Sequence, residues 1–190
     1  MREYKVLSKQ TYKNAEFKIV PIRHEDRFRI MKWRNEQIFH LRQNEPLTAE
    51  RQDLYFKTTV SSIFKEEKPN QILFSFLKSN KCIGYGGLVH INWIDKNAEV
   101  SFVMDTKLEK EEFSKNWSEY LYLIEQVAFK ELNFRKLFVY AFDLRPHLYS
   151  TLEANSYFLD ARLKDHCLFN DVFIDVVIYS KLNEDSNLSR

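Results

Sequence analysis

The chain has 190 residues, enough for one domain with a full core, and its 29 Lys and Arg against 27 Asp and Glu give a net charge of +2. Basic residues are scattered among acids, which excludes the clustered basic face of a nucleic-acid binder, and no stretch approaches the roughly 18 apolar residues of a membrane span. Two cysteines, Cys82 and Cys167, lie far apart with no metal-ligand spacing. The expectation is reduced thiols, no metal, and a cytoplasmic location, since the first residues lack the apolar run of a signal peptide.

In chain order, the first dozen residues are polar and expected to be loosely held. Phe17–Ile22 reads as a strand whose Pro21 marks an edge or an exit. His24 to Gln37 reads as a helix with Asp26 in its first turn, where the dipole favours an acid. Thr48 is a candidate cap for a second helix, its apolar stripe running through Leu54, Tyr55, Thr58, Val60 or Ser61, and Phe64. Gln71–Leu77, Cys82–Trp93 and Ala98–Met104 follow as strands separated by the polar turns 78–81 and 95–97. All three glycines, Gly84, Gly86 and Gly87, fall within the second of these strands. Thr106 with Glu109 forms a candidate capping box and Ser114 a second candidate cap. A helical face runs through Trp117, Tyr120, Leu121, Leu123 or Ile124, Val127, Ala128 and Leu132. Lys136–Ala141 is a strand, and Pro146 to Asn155 a short helix with Pro at N1. Arg162–Leu168 and Val172–Ser180 read as a closing hairpin, and residues 183–190 as a polar tail. The organisation is an N-terminal segment (1–16), one domain (17–182) and the tail. The class is α+β, with a mostly antiparallel central sheet flanked by helices. Sixteen Phe and ten Tyr fit either an aromatic core or an aromatic-walled cleft.

Four segments carry a resemblance. They are Lys32-Trp33-Arg34-Asn35, Ile83-Gly84-Tyr85-Gly86-Gly87-Leu88, Asn97 through Met104 with its Ala98-Glu99-Val100 start, and Phe158 through Asp175-Val176-Val177. In this order and spacing they resemble the GNAT superfamily of acetyl-CoA-dependent N-acetyltransferases. The likeness is greatest to the branch with ribosomal-protein N-terminal and nucleotide-amino-sugar acetyltransferases. The resemblance implies a sheet splayed between its fourth and fifth strands, here Ala98–Met104 and Lys136–Ala141. Acetyl-CoA would bind there as co-substrate, its pantetheine arm in the gap and its diphosphate at the next helix start. Phe102, Val103, Met104, Lys115, Asn116, Trp117 and Tyr140 would then contact it. Where the family carries a glycine-rich Arg/Gln-x-x-Gly-x-Gly/Ala segment, this chain has Glu112, Phe113, Lys115 and Trp117 and no glycine. Leu152 stands where a family tyrosine acid usually lies, with Tyr149 or His147 as substitutes.

Amine acetylation needs a group that takes a proton from the amine and one that protonates the departing thiolate. Glu99, the charged member of an apolar strand, is the first candidate base, and His90 a candidate proton relay. Tyr149 is the candidate acid. Trp33, Arg34, Asn35 and, on the closing hairpin, His166 and Asp175 are candidate acceptor contacts, with Arg34 suited to a carboxylate or phosphate. The cysteines have no local nucleophile signature. Expected partners are a small-molecule amine and, if aromatics are exposed, a second copy as a homodimer, with no nucleic acid and no membrane. A non-catalytic domain of the same fold, and a protein N-terminal or lysine acetyltransferase, are the competing readings.

Overall fold

A computed structural model describes residues 2–184, so the expected tail from residue 185 onward lies outside the described residues. Among the described residues, eight strands form one sheet in the order β1-β2-β3-β4-β5-β6-β8-β7. They are β1 (Tyr12–Asn14), β2 (Phe17–Pro21), β3 (Ile72–Lys78), β4 (Lys81–Asn92), β5 (Asn97–Met104), β6 (Lys136–Phe142), β7 (Phe158–Phe169) and β8 (Val172–Leu182). Every neighbouring pair is antiparallel except β5 and β6, which run parallel. The helices are α1 (Arg27–Glu36), α2 (Ala49–Lys57), α3 (Thr59–Ile63), α4 (Thr106–Glu111), α5 (Phe113–Glu125) and α6 (Pro146–Ala154).

Local chemistry accounts for most boundaries. Thr48 caps α2 by accepting the Arg51 amide at 3.3 Å, and Pro146 opens α6. Ser79-Asn80 and Asn170-Asp171 all adopt positive φ, the pattern of two-residue hairpin turns whose twist matches that of the strands.

Several expectations need correction. The first dozen residues are not loosely held. Tyr4 and Leu7 are buried, and the Tyr4 hydroxyl donates to the Leu73 carbonyl at 2.7 Å while accepting the Leu73 amide at 2.8 Å. These residues lead into β1, a strand not expected from the sequence. The second helix breaks at Thr58 into α2 and α3, and the long helix ends in a π-helical stretch, Gln126–Glu131. Asp105, not Thr106, caps α4 by accepting the Lys107 amide, while the Thr106 hydroxyl, already inside the helix, donates to Glu36 at 2.6 Å. Ser114 lies inside α5 and bonds Thr151 at 2.8 Å instead of capping.

Strand alternation sorts the side chains onto two faces. Phe76, Phe102 and Tyr120 of α5 pack on one face, with Phe102 and Tyr120 stacked at 3.9 Å between centroids. Tyr85, Val89, Glu99 and Ser101 share the opposite face, toward α1 and α2, because Val89 pairs with Glu99 and Tyr85 with Val103. A buried polar knot ties α1 to this face. Asp26 accepts both guanidinium donors of Arg23 at 2.7 and 2.8 Å and the Ser75 hydroxyl at 2.7 Å. Burial would raise the Asp26 carboxyl, but these bonds outweigh it and hold it below the ordinary range.

Candidate active site

The parallel pairing of β5 with β6 covers Asn97, Ala98 and Glu99 and then stops, while β6 continues to Phe142 on β8. Beyond Glu99 the two strands part. The edges of Val100–Met104 and Val139–Phe142 that face each other therefore have no strand partner across the gap. Leu148 and Trp117 close its floor, and the gap is lined on β5 by Glu99 through Phe102 and on β6 by Val139 through Phe142.

Glu99 stands where the strands separate. It is buried, and its carboxylate bonds His90 Nδ1 at 2.8 Å and the Arg42 guanidinium. His90 reaches it because β4 bulges between Val89 and Asn92, where His90 adopts φ 47°. A bulge re-aims one side chain, and a non-glycine residue at positive φ is held there by its surroundings. The imidazole is thereby turned onto the Glu99 face of the sheet.

Arg42 spans the gap. It pairs with Glu99 of β5 and lies over the Tyr140 ring of β6, 4.6 Å from its centroid. With His40 and Leu41 it narrows the cleft to about 80 Å³, below the roughly 300 Å³ at which small-molecule pockets begin. Its side chain is 46% exposed, so water already screens part of its charge. Asn35 of α1 anchors this loop, donating to the Leu47 carbonyl at 2.9 Å and accepting the Leu47 amide at 2.8 Å.

At the far end, α5 begins with no side-chain cap, which leaves its first-turn amides without helical acceptors. Three of the acids around it are paired with cations. Glu112 accepts Lys78 at 2.9 Å, Glu109 accepts Arg145 at 3.0 Å, and Lys115 lies 3.8 Å from Glu16. Arg145 also donates to His40 at 3.3 Å. Burial, then the Arg145 charge, push the His40 imidazole down to about 3, so it stays neutral in ordinary buffers. Asn116 is fully buried in the first turn of α5, and neither its amide nitrogen nor its oxygen has a partner. Unpaired buried amides are rare and call for a ligand or a water.

The remaining candidates divide. Trp117 meets Phe102 edge-on at 5.0 Å, and both line the gap with Tyr140. His166 is exposed, 6.3 Å from the Tyr140 ring. Val103 shares the Tyr85 face, and the Met104 carbonyl accepts Gln37 at 2.7 Å. Lys115 is exposed beside the α5 start. Trp33 is buried in the core, and Arg34 bonds Tyr85 and Gln43. Tyr149 is not part of the gap lining. Its hydroxyl donates to Asp143 at 2.7 Å and its ring stacks on Tyr179, while Leu152 is fully buried. Asp175 pairs with Arg162 at 3.1 Å. Burial pushes the Cys82 thiol up to about 12, which suits an inert core cysteine. Arg42, His40 and Arg145 were not legible as site residues, since they lie in loops or caps without periodicity.

A sequence profile of the acetyltransferase (GNAT) domain matches residues 19–175. The chain belongs to the GNAT acetyltransferase family. Among solved structures, it superposes on the spermidine N-acetyltransferase of Vibrio cholerae in complex with CoA and spermine with a TM-score of 0.75. The identity is 16%, over 90% of this chain and 97% of that one. It superposes on the ribosomal-protein-S5-alanine acetyltransferase of Vibrio fischeri with a TM-score of 0.73 and 16% identity, over 95% of this chain and 100% of that one. At these identities the likeness is one of fold. No curated protein matches the chain by sequence. Among the described residues of this GNAT chain, no cluster of three or more His, Cys, Asp or Glu could hold a metal, and no helix is long and apolar enough to cross a membrane.

Proposed function

We propose that residues 17–182 form an acetyl-CoA-dependent N-acetyltransferase acting on the primary amine of a small molecule. A nucleotide-linked amino sugar is the acceptor favoured by the sequence resemblance. The observation that carries the reading is the loss of strand pairing immediately beyond a buried Glu99 already bonded to His90. Unpaired strand edges suit the amides of a pantetheine arm, which adds as a short strand. The uncapped start of α5 suits a diphosphate, with Lys115 and Asn116 beside it.

In this reading the amine nitrogen bonds the acetyl carbon, the carbon–sulfur bond breaks, and CoA leaves as a thiolate that takes up a proton. Glu99 and His90 receive the proton of the amine, directly or through water. Backbone N–H groups at the gap stabilise the oxygen charge that develops on the acetyl group. No enzyme nucleophile is needed, in keeping with the burial of Cys82. Arg42 must leave Glu99 for either event, because its guanidinium occupies both the carboxylate and the mouth of the gap. The free cysteines fit a cytoplasmic location, and the exposed Phe158, Leu159, Leu168 and Phe173 of the closing hairpin fit a homodimer.

The test is calorimetric titration of the purified chain with acetyl-CoA, followed by thiol release against a panel of amino sugars, simple amines and peptides. Saturable binding well below millimolar concentration is expected, with turnover on at least one small amine. Absence of binding at millimolar acetyl-CoA would leave a non-catalytic member of the family. Turnover confined to peptides would make this a protein acetyltransferase.

A further inference from the structure

A second cavity, of about 260 Å³, lies between α1, α2 and the Tyr85 face of the sheet. Arg34, Tyr55, Tyr85 and Arg51 line it, and it reaches Val89 and Ser101. Ser101 also lines the gap between β5 and β6, and Val89 is the cross-strand partner of Glu99. The cavity therefore opens beside the proposed point of transfer.

Arg34 makes this cavity unusual. Its guanidinium is half-buried, yet no carboxylate pairs with it among the described residues. Its partners are neutral: Nε donates to Gln43 at 2.9 Å and Nη1 to the Tyr85 hydroxyl at 2.7 Å. A guanidinium has five N–H donors in a planar fork, so most of them remain unspent. The Tyr85 hydroxyl accepts from Arg34 and keeps its own proton free to donate. Arg51 adds a second cation at the rim, paired with the exposed Glu45. A half-buried cation without a counter-charge loses part of its hydration, a cost that an anion offsets.

We infer that the acceptor is a small acidic amine whose carboxylate or phosphoryl group is held by Arg34 and Tyr85 while its amine points toward Glu99. This rests on the acetyl-transfer reading and narrows its substrate class. The cavity holds the volume of about nine waters, room for an anionic group on a short carbon frame. Tyr85 and Val89 lie four residue steps apart along the strand, roughly 13 Å, which sets the longest separation of acid and amine. A polyamine, such as the spermine bound by the Vibrio cholerae enzyme, carries no anion for Arg34 and is repelled by it.

The experiment compares matched acceptors with acetyl-CoA. These are 6-aminohexanoate against hexylamine, glucosamine 6-phosphate against glucosamine, and spermidine. The acidic member of a pair is expected to show a kcat/KM at least about tenfold higher. Whichever pair shows the larger ratio identifies the carboxylate or the phosphoryl group as the anion. In Arg34→Gln the ratio is expected to fall to about one through a higher KM for the acidic member. Preference for spermidine or the neutral members, or a ratio retained in Arg34→Gln, overturns the inference. Calorimetry with inorganic phosphate and with 6-aminohexanoate, without acetyl-CoA, separates this from the transfer reading. Binding lost in Arg34→Gln supports the anion site even if acetyl-CoA does not bind, and binding unchanged by the substitution overturns it. Circular dichroism checks each variant; if Arg34→Gln is unfolded, Tyr85→Phe is read in its place, with weaker binding expected and unchanged binding overturning the site.

Discussion

A Glu99→Gln variant is expected to bind acetyl-CoA normally and to release thiol about 10²–10⁴-fold more slowly than the wild type. Glutamine keeps the size of the side chain and can still bond His90 and Arg42, so the fold should survive. It cannot receive a proton. If Glu99 were only a buried partner for Arg42, the loss of charge would alter stability and leave turnover within a few-fold. Steady-state thiol release against calorimetric affinity for acetyl-CoA separates the two outcomes. The geometry favours the catalytic one. A strand bulge and a positive φ at His90 bring an imidazole to a carboxylate at the place where the sheet opens. Such strain costs stability, is held by its surroundings and clusters at functional sites.

A large effect on folding is expected at Gly87. A Cβ added there would lie 1.9 Å from the Ile72 carbonyl oxygen and 2.9 Å from the Leu73 Cα, both backbone atoms of the neighbouring strand. Neither can turn aside as a side chain tip can, so β3 and β4 would have to separate in the middle of the sheet. Gly87→Ala should cost more than about 4 kcal/mol, a large share of a typical domain's stability. Gly84→Ala is the control. Its Cβ would meet the Phe102 ring and the Val103 oxygen at 3.0 Å, which small shifts relieve, for a cost of about 1 kcal/mol. Urea unfolding of the two proteins should give widely separated midpoints, with Gly87→Ala unfolded or nearly so in buffer. Equal midpoints would contradict the close strand approach that sets this face of the site.

Strand and helix order were legible because the apolar periods are strong and the turn residues sit between them. The hairpin turns at Ser79-Asn80 and Asn170-Asp171 fall where polar pairs interrupt apolar runs. The splay was not legible in the same way. Ala98–Met104 is a mostly apolar strand carrying Glu99 and Ser101, and nothing in that pattern marks Glu99 as the last paired residue. That expectation came from resemblance, and the pairing bears it out. Tyr4 was misjudged because its burial depends on Leu73, a partner 69 residues away. The partners of the acids before α5 were not legible, because Glu109 and Glu112 are matched by Arg145 and Lys78, 36 and 34 residues distant. Arg42 could not be singled out at all. Its role depends on a loop lying across two strands that the sequence does not place side by side.

Under the acetyl-transfer proposal the parted strands receive the cofactor once Arg42 moves aside. In a crystal structure of the chain with CoA, the pantetheine amides are expected to bond the free edges of β5 and β6, the diphosphate to meet the amides that open α5, and Arg42 to have lifted from Glu99. CoA bound on another surface at saturation, with Arg42 still joining Glu99 to the Tyr140 ring across a closed gap, would contradict it.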